Sequence, residues 1–126
     1  MTEVVTNFKI PRLRDQAHMD RVAGLGFCAI PTCRYHFGRQ PLALVYEIII
    51  DPHHLTFAQP KAKNLRVGDQ FTINLCRWTH HSQTSKDGVH AFLGPEIEWW
   101  IAHGIDDPLS IAASLFAETL DLRRRK

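Results

Sequence analysis

With 126 residues, 44% of them hydrophobic and 22% charged, the chain has the length and composition of one globular domain with a modest core. It has no apolar run near the roughly 20 residues of a membrane span, and its start, Met1-Thr2-Glu3-Val4-Val5-Thr6, has neither the basic end nor the apolar stretch of a secretory signal, so a cytoplasmic protein is expected. A net charge of +2 is too small to argue for nucleic acid by itself, and three cysteines without an export signal point to metal ligation or free thiols in place of a disulfide framework.

In chain order, residues 2–11 read as extended through Val4, Val5, Phe8 and Ile10, ending at Pro11. Residues 15–23 read as a short helix that Asp15 caps and that Gly24 and Gly26 stop. Residues 27–37 form a compact loop around Cys28 and Cys33. Residues 44–50 read as a strand, and the run Ile48-Ile49-Ile50 predicts burial on both of its faces. A polar loop over 53–69 contains Pro60 and Gly68, and Phe71-Thr72-Ile73-Asn74-Leu75 then alternates with the period of a second strand. A loop of about 15 polar residues without a helical pattern does not readily make a parallel crossover, so the two strands pair antiparallel. Residues 78–86 read as a short helix or a turn. Residues 95–104 form a helix with Pro95 in its first turn and Gly104 after its last, and Asp107-Pro108 opens another with Leu109, Ala112, Ala113, Phe116 and Leu120 on one face. Without repeats or linkers the chain reads as a single domain over 1–126, its core at about 24–92 and a helical extension at about 95–122.

The chemistry gathers in the middle. Six of the eight histidines lie between His36 and His90, and the span 28–90 takes in those six and all three cysteines. Four residues separate Cys28 from Cys33 and three separate Cys76 from His80, two short turns able to supply the four ligands of a tetrahedral structural zinc; His36 and His81 are alternatives for the fourth. The pair His53-His54 leaves the first strand, and adjacent residues there point in different directions. One can therefore bind a metal while its neighbour faces substrate: His53 and His81, with His90 third, make a second metal site, and His54 stays free as general base. Asp51 competes as an oxygen ligand for a hard cation.

Basic residues flank this region. Lys61, Lys63 and Arg66 lie in the loop between His54 and Asp69, placed to meet phosphates, and Arg123-Arg124-Arg125-Lys126 ends the chain. Trp78, Trp99 and Trp100 are able to stack on bases, although the adjacent pair on a capped helix reads better as core and partly exposed anchor. His103 is expected to meet the last carbonyls of its helix, and His18 to be structural or on the surface.

Taken together these residues resemble the HNH (ββα-metal) nucleases, and most closely a phage and prophage group that includes RecA-dependent recombination-enhancement nucleases. The resemblance runs through Ala17-His18-Met19-Asp20-Arg21-Val22, His53-His54-Leu55, the stretch 67–76, His80-His81, His90 and the tail 98–109, so it spans most of residues 17–116. Both cysteine-bearing turns are longer than the usual CxxC and CxxH forms, and Pro52 stands where a small residue is usual. The resemblance implies an α+β fold in which a zinc-stabilised ββα-metal hairpin is flanked by an N-terminal helix and two C-terminal helices. It makes His54 the general base and Asp69, 15 residues on, its orienter. His53, His81 on the following helix, and His90 would hold a catalytic Mg²⁺ or Mn²⁺, and Cys28, Cys33, Cys76 and His80 a structural zinc. The expected activity is endonuclease or nickase action on DNA in phage or prophage recombination, repair or replication, with a recombinase or another repair protein as a further partner. Two other readings stand beside it: a non-catalytic zinc-bound module that binds nucleic acid or protein, and an adaptor or inhibitor that acts on a host protein.

Overall fold

The structure, a computed structural model, describes residues 11–33, 36, 49–59 and 66–125. Among these residues the fold is α+β: an antiparallel two-stranded hairpin and three α-helices. The expected extended segment over 2–10, most of the strand read at 44–50 and the loop residues Lys61 and Lys63 lie outside the described residues.

Helix α1 spans Gln16–Ala23. The Asp15 carboxylate accepts from the His18 N–H at 3.1 Å and so caps the first turn, while Gly24 closes the last, both as expected. Gly26 follows at φ 75°, a left-handed conformation that glycine adopts without the clash a Cβ brings.

Strands β1 (Ile50–His54) and β2 (Thr72–Cys76) pair from Ile50↔Cys76 to His54↔Thr72. The described strand therefore includes His53 and His54, which had been expected to follow it. Their side chains consequently take opposite faces of the pleat. Ile49 is 38% exposed, which overturns the burial expected on both faces of the isoleucine run. Every residue of β2 is buried, because its second edge is covered as well: Ala29 N–H donates to the Asn74 carbonyl and the Asn74 amide donates to the Phe27 carbonyl. Pro52, which has no N–H to give a ladder, sits on β1, which among the described residues pairs with β2 alone.

The chain after β2 runs through turns, not a helix, until the 3-10 turn Val89–Ala91. Helix α2 (Glu96–Ala102) buries both Trp99 and Trp100, so neither tryptophan is the half-exposed anchor expected of the pair. The His103 ring nitrogen Nδ1 meets the Trp99 carbonyl at 2.9 Å, as expected of a histidine at a helix end.

Helix α3 (Pro108–Arg124) is capped by Asp107, whose carboxylate accepts from the Ser110 N–H at 3.1 Å. Its buried line is Pro108, Ala112 and Thr119, whereas Leu109 and Leu120 are each 40% exposed, so the inward face is rotated from the one the apolar residues marked. A polar contact explains the rotation. His18, fully buried on α1, places Nδ1 2.7 Å from the Thr119 hydroxyl and Nε2 3.4 Å from the Thr72 hydroxyl, and Arg21 also donates to Thr119. One buried imidazole thus joins α1, β2 and α3. Among the described residues no helix is long and apolar enough to cross a membrane.

Candidate metal centres

Two groups of ligand atoms converge on the hairpin. Cys28 and Cys33 come from the loop after α1, Cys76 ends β2, and His80 sits in the following turn. That turn is fixed by the Cys76 carbonyl, which accepts the N–H groups of both His80 and His81 at 3.2 and 2.9 Å. The four ligand atoms lie within 4.8 Å of one another and all four residues are buried, so the cluster could hold a metal such as zinc.

The separations test the fit. Ligands around a tetrahedral ion stand apart by about 1.6 bond lengths, or about 3.8 Å for two zinc-bound sulfurs and about 3.5 Å for a sulfur and a nitrogen. Here Cys33 Sγ and Cys76 Sγ are 3.8 Å apart, and His80 Nδ1 lies 3.5 Å from Cys28 Sγ and 3.3 Å from Cys76 Sγ. These three separations match those of a tetrahedral site.

Its electrostatics point the same way. Hydrogen bonds from Cys28 and Cys33 hold the Cys76 thiol far below its ordinary pKa, whereas the neighbouring sulfurs of Cys33 and Cys76 push Cys28 far up. Burial opposes a charge on His80, yet the Cys33 and Cys76 sulfurs push it up to about 9. Protons are thus shared among four crowded donors, and a cation able to ionise all three thiols would displace them. His36, an alternative fourth ligand on sequence grounds, points elsewhere: its Nδ1 meets the Cys28 carbonyl at 2.8 Å and its ring faces Phe27.

The second group is His53, His81 and His90, whose ligand nitrogens also lie within 4.8 Å of one another. His53 is buried on β1, His81 follows His80 in the turn, and His90 is exposed on the 3-10 turn, so no α-helix carries the ligands that the resemblance put on one. The His81 and His90 Nε2 atoms face each other at 3.2 Å. Two nitrogens bound at about 2.0–2.1 Å to one ion would stand about 2.9 Å apart in an octahedron and about 3.4 Å in a tetrahedron. Burial lowers the pKa of both His81 and His90, which favours the neutral rings that can bind a metal.

Asp51 is not a member of this ligand group. Its Oδ2 lies 3.0 Å from His81 Nδ1, and it also takes a two-pronged contact from Arg77 with a closest approach of 2.8 Å. The carboxylate therefore orients His81 by holding Nδ1–H, which leaves Nε2 to face His90.

His54 lies off the cluster. Its Nε2 is 2.8 Å from Asp69 Oδ1, the contact expected between base and orienter. Asp69 in turn accepts the Asp15 N–H at 2.6 Å and lies 3.9 Å from the Arg14 guanidinium. Burial alone would push the Asp69 carboxyl up; His54, the Asp15 amide and Arg14 together keep it below the usual carboxylate value. With Nε2–H held by Asp69, the lone pair of His54 is on Nδ1. Burial lowers the pKa of His54 and outweighs the opposing effect of Asp69, so the ring favours its neutral form. Arg66 is exposed beside this pair, and its charge also works to lower His54.

Sequence reasoning missed Glu96. Its carboxylate lies 3.0 Å from His53 Nε2, and it accepts from the Trp100 indole at 2.9 Å and from the Thr56 hydroxyl at 2.7 Å. Glu96 lies 43 residues beyond His53, in a first helical turn where an acidic residue is ordinary, so no local pattern marked it. Trp78 is 70% exposed with the Arg77 guanidinium 5.9 Å from its ring. No protein-family model, curated protein or solved structure matches this chain.

Proposed function

We propose that the protein is a metal-dependent endonuclease or nickase of the HNH type that hydrolyses phosphodiester bonds in DNA. The observation that carries this reading is the pairing of the His54 imidazole with Asp69, one residue along β1 from His53 of a three-histidine cluster able to hold a divalent ion. A site that only bound a metal would have no use for a neutral, carboxylate-oriented imidazole beside it.

The residues divide the work as follows. His54 Nδ1 takes a proton from water, and Asp69 holds the ring and stabilises the imidazolium that results. The water oxygen forms a bond to phosphorus, the bond to the 3′-oxygen breaks, and that oxygen recovers a proton from solvent. An ion held by His53, His81 and His90 would supply charge stabilisation to the phosphoryl group and the leaving oxygen. Arg14 and Arg66 near the base, with Lys61 and Lys63 in the loop between His54 and Asp69, fit an anionic backbone. The Cys28, Cys33, Cys76 and His80 set serves as the structural zinc that joins the loop before β1 to the end of β2. Phage or prophage recombination or repair, with a recombinase as partner, is the setting that the sequence resemblance favours.

Three imidazoles offer no oxygen and no charge of their own, so the second centre suits Mn²⁺ or a later first-row ion better than Mg²⁺, which prefers oxygen. Plasmid nicking by zinc-loaded protein, with added Mn²⁺ or Mg²⁺, tests the proposal. His54→Ala is expected to lower the cleavage rate by at least about 100-fold while zinc content and melting temperature stay as in wild type. Wild-type protein that holds zinc, binds DNA and cuts none with any divalent ion would make it a binding module instead.

A further inference from the structure

The three carboxylates around the histidines are not equivalent. Asp51 has Arg77 at 2.8 Å and Asp69 has Arg14 at 3.9 Å. Glu96 is 12% exposed, and among the described residues no lysine or arginine pairs with it; its ionisable partner is His53, 2% exposed. A buried carboxylate whose charge is not offset is costly. Hydrogen bonds from His53, Trp100 and Thr56 converge on the Glu96 carboxylate in place of a cation. Two of these three bonds, from Thr56 and Trp100, already tie the start of α2 to the end of β1 and to its own next turn. The third goes to a metal-ligand candidate.

We infer that Glu96 is a positioning residue of the His53, His81 and His90 centre: it holds Nε2–H of His53, so that Nδ1 carries the lone pair for an ion, and it brings a buried carboxylate beside a set of three imidazoles. The inference rests on the proposed second metal centre and adds to it the helix that completes the site. A histidine ligand whose other ring nitrogen donates to a carboxylate is fixed in tautomer and orientation and is a better donor, and loss of such a partner typically lowers metal affinity by about 10–100-fold. Asp51 performs the same task for His81, but Arg77 already offsets its charge. Glu96 is thus the carboxylate on which affinity for a cation depends more.

Protein that carries zinc at the cysteine set is titrated with Co²⁺ by calorimetry, and the His53 tautomer is read from long-range ¹H–¹⁵N spectra. Wild type is expected to bind one further ion and to show Nε2–H at His53. Glu96→Ala should weaken Co²⁺ by about 10–100-fold and mix the tautomers, and Glu96→Gln, which keeps an acceptor oxygen without the charge, should fall between. Zinc content at the cysteine set serves as the folding control, and the isosteric Glu96→Gln keeps the test open where the alanine variant does not fold. Unchanged Co²⁺ affinity and tautomer in both variants would overturn the role of Glu96 and leave the metal centre standing. A wild-type protein that binds no second ion would overturn both.

Discussion

His53 and His54 are adjacent in β1, and the two-residue period of the strand separates them: His53 is buried among the metal-ligand candidates, while His54 turns to Asp69. That separation was legible in the sequence, because neighbours at a strand end must diverge; the partnership with Asp69 was expected only through the family resemblance. The outer carboxylates were not legible. Asp51 looked like a ligand because its residue type suits one; the contact with His81 Nδ1 makes it an orienter, and Arg77 offsets its charge. Asp69→Asn puts the base–orienter pair to a direct test. The change keeps a hydrogen-bonding group but removes the charge that stabilises the imidazolium, so single-turnover cleavage should fall by roughly 100-fold or more with bound Mn²⁺ unchanged. If cleavage survives with less than about a threefold loss, His54 does not act through Asp69.

At the level of elements, the three described helices could be read from local signals, Asp15, Gly24, Pro95, Asp107 and Pro108, and the antiparallel sense of the hairpin from its loop, whereas the first strand was expected at 44–50 and is described at 50–54. The turns after β2 could not be read, since their shape is set by tertiary bonds: the Cys76 carbonyl fixes His80 and His81, and Val89 N–H meets the His80 carbonyl at 2.7 Å. The inward face of α3 was misread for a related reason, a polar Thr119 that is buried because His18 and Arg21 need its hydroxyl. Gly88 shows how tight the turn is. A Cβ there would stand 2.1 Å from the Ser82 carbonyl oxygen, so Gly88→Ala must shift the segment that delivers His90. Its expected cost is about 1–3 kcal/mol, with Co²⁺ affinity at the histidine centre reduced and zinc at the cysteine set retained. Urea unfolding and metal titration of one sample read both effects. Stripping zinc with a strong chelator should do more, lowering stability by several kcal/mol, because the loop that holds Cys28 and Cys33 then loses its cross-link to β2. A chelated protein that unfolds at the same urea concentration as the loaded one would deny the zinc its structural task.

For the molecule as a whole, the buried polar seam at His18 is what makes one unit of helices and hairpin. Apolar packing alone would let α3 roll over its neighbours; the bonds from His18 to Thr119 and Thr72 fix both its rotation and its depth. Such a seam depends on pH in a definite direction. Burial lowers the pKa of His18 below its ordinary value of about 6.5, aided by Arg21 and Arg123 and opposed by Asp15 and Asp69. Above about pH 6.5 the ring is neutral in the folded and unfolded chains alike, and the seam contributes in full. As the pH falls below that value the unfolded chain takes up a proton that the folded one refuses, and stability declines until the folded pKa is passed. Other histidines with lowered pKa, His54, His81 and His90, act with the same sign, so the wild-type curve alone does not isolate His18. The difference from His18→Gln does. That variant should be less stable than wild type at pH 8, where the imidazole makes both of its contacts, and the gap should narrow steadily as the pH drops from 7 towards 5, because only the wild type has this proton to exclude. Urea midpoints across that range measure the gap. A gap that stays constant would mean that His18 is protonated equally in both states, and that the seam is held by shape and not by a neutral ring.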